Sequence, residues 1–163
     1  MAQNENSLVD KFGRTVDYVR LSVTDRCDFR CVYCMTEDMT FLPRKQILSL
    51  EEIYQIALAF TELGVKKIRL TGGEPMVRSD VMSLIGKLGS LPGLEELLLT
   101  TNGAQLDKYA LPLKEAGLSR INISIDTLNR SKFKEITGHD RLPEILEGIK
   151  ILQNKGFKNI KVN

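Results

Sequence analysis

The sequence contains no tryptophan, a single histidine and only three cysteines, and each scarcity limits what the protein can be. The three cysteines, Cys27, Cys31 and Cys34, fall within one short segment. A disulfide framework needs an even number of cysteines spread along the chain, so a small disulfide-stapled secreted domain is excluded. The histidine, His139, lies far from them along the chain, so a zinc site with four ligands cannot be completed locally.

Long hydrophobic runs and a strong charge imbalance are also missing. No apolar run approaches the ~20 residues that span a bilayer. The 23 basic and 21 acidic residues leave a formal net charge of +2, which gives no argument for nucleic acid or an anionic membrane. The first ten residues have the pattern of neither a secretory signal nor a transit peptide. We therefore expect a cytoplasmic protein with neither a nucleic acid nor a membrane as partner.

The chain does contain short β-rich runs that alternate with longer helical patterns. Helix boundary signals accompany them, with Ser49 in an N-cap position and Gly64, Gly117 and Gly156 where helices should end. The pattern predicts strands at residues 18–23, 67–71, 96–101, 120–125 and 159–162. It predicts helices at residues 49–63, 79–91, 106–116 and 143–155.

Strand, helix and strand in repetition predict an α/β protein with a parallel sheet. A complete eight-unit barrel needs about 200 to 250 residues, and this chain offers about five strands in 163 residues. We therefore expect a partial (β/α) TIM-like barrel that is truncated. Residues 1–163 would be the N-terminal part of such a barrel, with residues 1–16 as an N-terminal extension. An open five-stranded flavodoxin-like domain is the alternative.

The predicted strands have one apolar and one polar face, because successive side chains of a strand point to opposite sides. Parallel strands covered by helices on both sides are usually apolar throughout. The polar face includes the cationic side chains Arg20, Arg69 and Lys161. Burying unpaired charges is costly, so this face predicts a wet cavity that receives an anionic ligand. Leu98 is the exception, since it falls on the polar side.

The cysteines have the spacing C-x3-C-x2-C, directly after the first predicted strand. Such a loop can wrap three thiolates around one compact inorganic centre. A cubane iron–sulfur cluster usually takes four cysteines, so three would leave one iron open to a ligand. A zinc loop completed by another chain, or a coincidental group of thiols, remains possible on spacing alone.

With Tyr33 before the last cysteine, this segment resembles the signature of the radical S-adenosylmethionine (SAM) superfamily. The resemblance implies a [4Fe–4S] cluster on Cys27, Cys31 and Cys34, with SAM bound to the open iron. Residues 72–75, Gly-Gly-Glu-Pro, resemble the motif that contacts the SAM amino group in that superfamily. Glycines at such a position permit a close approach of backbone to ligand.

Further blocks resemble the molybdenum cofactor biosynthesis protein A family, the GTP 3′,8-cyclases. They lie at residues 12–14, 21–27, 69–75, 99–103, 121–127 and 161–163. The resemblance implies SAM contacts from Tyr33, Gly73 and Ser124, and weaker ones from Gly72, Glu74, Asn102 and Asp126. It implies GTP contacts from Arg20, Arg69, Thr100 and Lys161.

The same resemblance implies a lyase that needs an external one-electron reductant. A radical derived from SAM would take the 3′ hydrogen of GTP, and the resulting carbon would attack C8 of guanine. The product would pass to the cyclic pyranopterin monophosphate synthase, and the full-length family implies a possible homodimer. A second [4Fe–4S] cluster on three more cysteines is expected only in the full-length protein, so we expect this chain alone not to complete the cyclisation.

Two other functions compete with this interpretation. One is a different radical SAM enzyme with a similar N-terminal half, against which the three cations on the polar face argue. The other is a non-enzymatic metal-binding module, which predicts zinc or no metal in the purified protein.

Overall fold

The computed structural model describes residues 8–35 and 38–163, and its centre is one parallel sheet of five strands. In these strands apolar residues occur at every second position, which is the pattern that predicts a strand. The predicted strands are confirmed, with ends shifted by one or two residues at three of them. The strands are β1 (Tyr18–Ser22), β2 (Lys67–Thr71), β3 (Glu96–Thr101), β4 (Arg120–Ile123) and β5 (Ile160–Val162).

The strands lie in the sheet in the order in which they occur in the chain, β1-β2-β3-β4-β5, and each pair is parallel. A flavodoxin-like sheet has the order 2-1-3-4-5, so that alternative is wrong. Successive right-handed crossovers that all step in one direction put every helix on the same side of the sheet. The other side is left uncovered, as in the wall of a barrel, which confirms the partial TIM-like fold.

In the part of the chain that the structure describes, five α-helices connect the strands. α1 begins with a complete capping box, in which the Ser49 hydroxyl accepts from the Glu52 N–H and the Glu52 carboxylate accepts from the Ser49 N–H. Gly64, Gly117 and Gly156 all have positive φ after helix ends, as predicted. The helices are α1 (Leu50–Glu62), α2 (Val81–Gly89), α3 (Leu106–Glu115), α4 (Arg130–Thr137) and α5 (Leu142–Asn154).

The helix-covered face of the sheet is the core of the molecule. The apolar residues of β2, β3 and β4 on that face are all buried, whereas Val162 on the edge strand β5 remains exposed. Leu98, the apolar exception on the opposite face, is also buried, with 3% of its surface accessible. The polar residues of that opposite face keep varying degrees of exposure, so the predicted division into two faces is confirmed.

In the segment before β1, the described residues lie outside the sheet. Its described part, residues 8–16, closes on itself through one antiparallel bridge between Val9 and Thr15. Residues 1–7 of the predicted extension lie outside the described residues. In the part of the chain that the structure describes, no helix combines the length and the hydrophobicity needed to cross a membrane.

Candidate metal and ligand site at the carboxyl ends of the strands

The cysteine loop follows β1, at the edge where the parallel strands end. A tight turn joins two of the cysteines, because the N–H groups of Cys34 and Met35 both donate to the Cys31 carbonyl, at 2.9 and 3.0 Å. The Arg30 guanidinium donates to the Cys27 carbonyl at 2.8 Å and so fixes the middle of the loop. Cys27 and Cys31 are half-buried and Cys34 is exposed. The loop therefore presents its thiols at the edge of the polar face.

The surroundings of Cys27 and Cys31 favour the protonated thiol when no metal is bound. Burial raises the pKa of the Cys27 thiol to about 11, although the N–H of Phe29 donates to its Sγ at 3.4 Å. Burial also raises the pKa of Cys31 above its ordinary value. Thiolates bind iron and thiols do not. A bound cation would therefore have to supply the free energy that removes these protons.

The Gly-Gly-Glu-Pro segment runs directly against the backbone of the cysteine loop. The Gly73 N–H donates to the Thr24 carbonyl and the Glu74 N–H to the Arg26 carbonyl, both at 2.8 Å. A Cβ atom on Gly73 would lie 2.2 Å from the Arg26 carbonyl oxygen, and one on Gly72 would lie 2.4 Å from that of Thr24. The glycines are thus required by the packing of the two loops, whether or not a ligand is bound.

Glu74 is a buried carboxyl that holds the ends of β2 and β3 together. Its carboxylate accepts from the Thr101 hydroxyl at 2.8 Å, the Asn102 N–H at 2.7 Å and the Met76 N–H at 2.9 Å. Only 1% of the residue is accessible to solvent. Burial raises the pKa of Glu74 to about 7, and the three donors oppose that shift only in part.

Glu74→Gln is expected to flatten the pH dependence of stability. The folded chain holds the Glu74 proton more tightly than the unfolded chain, whose pKa is near 4.5. The free energy of unfolding of the natural chain therefore falls as pH rises from that value to about 7. Each unit of difference between the two pKa values corresponds to about 1.4 kcal/mol. Urea unfolding at a series of pH values measures this slope.

Glutamine opposes the Asn102 N–H with a second donor, so Glu74→Gln also changes the absolute stability. The slope, rather than the absolute stability, is therefore the readout. Glu115→Gln, at an exposed position of α3, controls for the chemistry of the change. Equal slopes for the natural chain and Glu74→Gln would contradict the prediction.

The structure joins the cysteine loop to the end of β4 through two of the predicted SAM residues. The Tyr33 hydroxyl donates to the Asp126 carboxylate at 2.9 Å, although these residues are far apart in the chain. The Ser124 N–H donates to the Thr101 carbonyl at 2.9 Å, which leaves its exposed side chain at the end of the strand. Asp126 thus pairs with Tyr33 and does not cap a helix. Asn129 caps α4 instead.

The predicted GTP residues lie in neighbouring positions across the polar face. Arg20 and Arg69 are direct partners in the β1–β2 register. Arg69 donates to the Tyr18 hydroxyl at 2.6 Å and to the Thr100 hydroxyl at 3.3 Å. Lys161 is paired in register with Asn122, which is itself paired with Thr100. Among the ion pairs of residues 8–35 and 38–163, none includes Arg20, Arg69 or Lys161.

Two polar residues of the site were not predicted from the sequence. Asp28 accepts a hydrogen bond from the Asn102 side chain at 2.7 Å and so links the cysteine loop to β3. Asn122 has a buried side-chain oxygen that finds no donor among the described residues. Its position on the polar face follows from the strand alternation, and that alternation is the signal that could have marked it as a candidate.

Comparisons with known proteins identify the superfamily of the chain and its fold. The model of the radical SAM superfamily matches residues 21–163. In its fold the chain resembles Streptococcus suis SuiB bound to S-adenosylmethionine, with a TM-score of 0.77 at 19% identity over 91% of this chain and 33% of that one. Methylornithine synthase gives a TM-score of 0.66 at 15% identity, over 89% and 43%. Because the superfamily model matches most of the chain, the chain belongs to the radical SAM superfamily.

Relatives that are more than half identical to this chain share a more specific name. The chain is 56% identical over its whole length to the GTP 3′,8-cyclase of Pseudomonas putida strain W619, of which it covers 49%. It is 57% identical to the GTP 3′,8-cyclase of Saccharophagus degradans, over 97% of this chain and 48% of that relative. The chain thus spans about half the length of the curated relatives it matches.

Membership of the superfamily implies a [4Fe–4S] cluster and SAM as cofactors. The residues present fit them, because three thiols lie on one loop and the Phe29 N–H already donates to one sulfur. Within the described ranges, no three His, Cys, Asp or Glu side chains come close enough to share one metal ion. A four-iron cluster takes one thiolate on each of several irons, so its ligands stand farther apart than those of a single zinc ion.

Proposed function

We propose that this chain is the SAM-cleaving part of a GTP 3′,8-cyclase of molybdenum cofactor biosynthesis. Cys27, Cys31 and Cys34 would hold the [4Fe–4S] cluster. When bound, the reduced cluster supplies the electron for the cleavage of SAM. Tyr33, Gly73 and Ser124 would contact SAM, with Gly72, Glu74, Asn102 and Asp126 around them. The triphosphate of GTP would lie against Arg20, Arg69, Thr100 and Lys161.

One observation carries the choice of substrate: Arg20, Arg69 and Lys161 have no carboxylate partner among the described residues, whereas Lys67 and Arg120 on the same face pair with Glu96. A triphosphate supplies several negative oxygens, and arginine binds phosphate through a rigid fork of donors. The hydrogen bond from Arg69 to Thr100 already orients the guanidinium toward the middle of the face. These side chains would position GTP, and the surrounding barrel would exclude water from the reacting atoms.

The remaining parts of the proposal concern the longer protein. Residues 1–163 would be its N-terminal part, and a C-terminal part would add the second cluster that completes the GTP site. An external reductant would supply the electron, and the product would pass to the cyclic pyranopterin monophosphate synthase. Reduced thiols suit a reducing compartment, so we propose the cytoplasm. The full-length protein would form a homodimer, and this chain alone would not complete the cyclisation.

The test is anaerobic reconstitution of the chain with iron and sulfide, followed by SAM cleavage under dithionite. We expect an iron–sulfur absorption band, and the release of methionine and 5′-deoxyadenosine. The variant with all three cysteines changed to serine should show neither. Zinc in the purified protein, or a natural chain that assembles no cluster with all three thiols reduced, would refute the proposal and favour a metal-binding module.

The substrate is tested separately by titrating the chain with GTP. Arg69→Ala and Lys161→Ala should each weaken binding roughly tenfold, because each removes a charge-assisted contact to phosphate. Lys155→Ala, at an exposed position just after α5, is the matched control and should bind GTP as the natural chain does. SAM cleavage without any effect of Arg69 or Lys161 on GTP binding would favour a different radical SAM enzyme.

A further inference from the structure

Asn102, directly after β3, forms three hydrogen bonds within the protein. Its backbone N–H donates to the Glu74 carboxylate at 2.7 Å. Its side-chain oxygen accepts from the Ala104 N–H at 2.9 Å, and its side-chain nitrogen donates to Asp28 Oδ1 at 2.7 Å. Since the oxygen faces a donor and the nitrogen faces an acceptor, the amide has only one satisfactory orientation.

The same side-chain nitrogen faces a cysteine. Asn102 Nδ2 lies 3.9 Å from Cys27 Sγ, and Asp28 Oδ1 lies at the same distance of 3.9 Å from that sulfur. With iron bound, the sulfur is a thiolate and lies next to the Asp28 carboxylate. The two hydrogens of the Asn102 amide then point toward two anionic atoms that would otherwise repel each other.

We infer that Asn102 is a positioning residue for the iron–sulfur cluster, which ties the Cys27 loop to the end of β3 and screens the Cys27 thiolate from Asp28. The inference rests on the proposed function, because it needs the cluster on Cys27. It adds a role for Asp28, as the anchor on the loop. N–H donors to cluster sulfurs and partners of ligands affect both the metal affinity and the reduction potential.

Asn102→Asp is the sharpest variant, because it keeps the shape of the side chain and replaces the donor by an anion. The new carboxylate would face Asp28 and the Cys27 sulfur. We expect the iron affinity of the chain to fall about tenfold or more. We also expect the midpoint potential of the remaining cluster to shift to a more negative value, because negative charge near the cluster disfavours the added electron.

The double variant Asp28→Asn with Asn102→Asp exchanges donor and acceptor at unchanged total charge. It should recover most of the iron that Asn102→Asp loses, because the two side chains can again form a hydrogen bond. Asn129→Asp is the matched control, since aspartate also caps a helix such as α4. It should keep the iron content and the potential of the natural chain.

Urea unfolding of the iron-free chain would reveal whether Asn102→Asp fails to fold. If it does, Asp28→Asn tests the inference instead. It removes the anion and keeps an oxygen for Asn102, so we expect a full cluster and a more positive midpoint potential. Iron content and potential unchanged in both single variants would overturn the inference and leave the proposed function standing. A natural chain that assembles no cluster would overturn both.

Discussion

A chain that carries Gly73→Ala is expected to lose the assembly of its iron–sulfur cluster. The new Cβ would lie 2.2 Å from the Arg26 carbonyl oxygen and 2.9 Å from that of Asp25. Both neighbours are backbone atoms, which cannot move aside as the end of a side chain can. The Arg26 carbonyl belongs to the residue directly before Cys27, so its displacement moves the first of the three thiols.

The two loops cannot easily move apart to relieve the clash of an alanine at position 73, because hydrogen bonds join them on both sides of it. The Val23 N–H donates to the Thr71 carbonyl at 2.9 Å, and the Glu74 N–H donates to the Arg26 carbonyl at 2.8 Å. At least one of these bonds must break to make room for a methyl group. We expect a loss of about 3 kcal/mol in the free energy of unfolding, the upper end of the usual cost of overpacking.

Iron per chain after anaerobic reconstitution, measured before SAM is added, checks the prediction. That order separates the packing of the loops from a contact between Gly73 and SAM, because a residue that only contacts SAM would leave the iron content unchanged. Gly86→Ala controls for the substitution, since its Cβ would meet nothing within 4 Å. A Gly73→Ala chain with the iron content and stability of the natural chain would refute the packing argument.

The alternation of the strands made the sheet and its two faces predictable from the sequence. Each of the five strands places apolar residues at every second position, and a parallel sheet with helices on one side follows. The cationic residues Arg20, Arg69 and Lys161 could be assigned to the open face by that alternation alone. Their register could not be read in this way: Arg20 and Arg69 are direct partners, whereas Lys161 lies on β5, with Asn122 between it and Thr100.

One helix was missed for a physical reason. α4 has only eight residues, Arg130–Thr137, and most of them are polar or charged. Phe133 is the single large side chain that it buries, so no apolar face of period 3.6 appears in the sequence. The helix is stabilised by its Asn129 cap and by the packing of Phe133 against Phe29, with ring centroids 6.0 Å apart. Neither of these contacts can be read from helical periodicity.

The contacts that shape the site join residues far apart in the chain, and no spacing rule foretells them. Asn102 meets Asp28 and Tyr33 meets Asp126 only because the ends of parallel strands share one edge of the sheet. The sequence could place each residue at that edge, but it could not say which would pair. The packing that requires glycine at positions 72 and 73 could not be predicted either. The atoms that a Cβ would meet there are backbone atoms of another loop, and the local sequence does not show which backbone lies nearby.

The second large effect concerns the fold itself: Gly89→Ala is expected to destabilise the chain severely, whereas Gly86→Ala, one turn earlier in α2, is expected to stabilise it. A Cβ on Gly89 would lie 1.8 Å from the Ala116 carbonyl oxygen. The ends of α2 and α3 touch there through their backbones, and Gly117 has a φ of 80° that favours glycine. A methyl group would force the two helices apart.

The paired design isolates that contact, because both variants make the same chemical change in the same helix. Gly86→Ala only restricts the unfolded chain and should add about 0.5 to 1 kcal/mol to the free energy of unfolding. Gly89→Ala should lower it by about 3 kcal/mol or more, since separating α2 from α3 also loosens the core between them. Urea unfolding of the iron-free chain measures both. Equal stabilities of the two variants would show that the helix ends can separate without cost, and that the core does not depend on their contact.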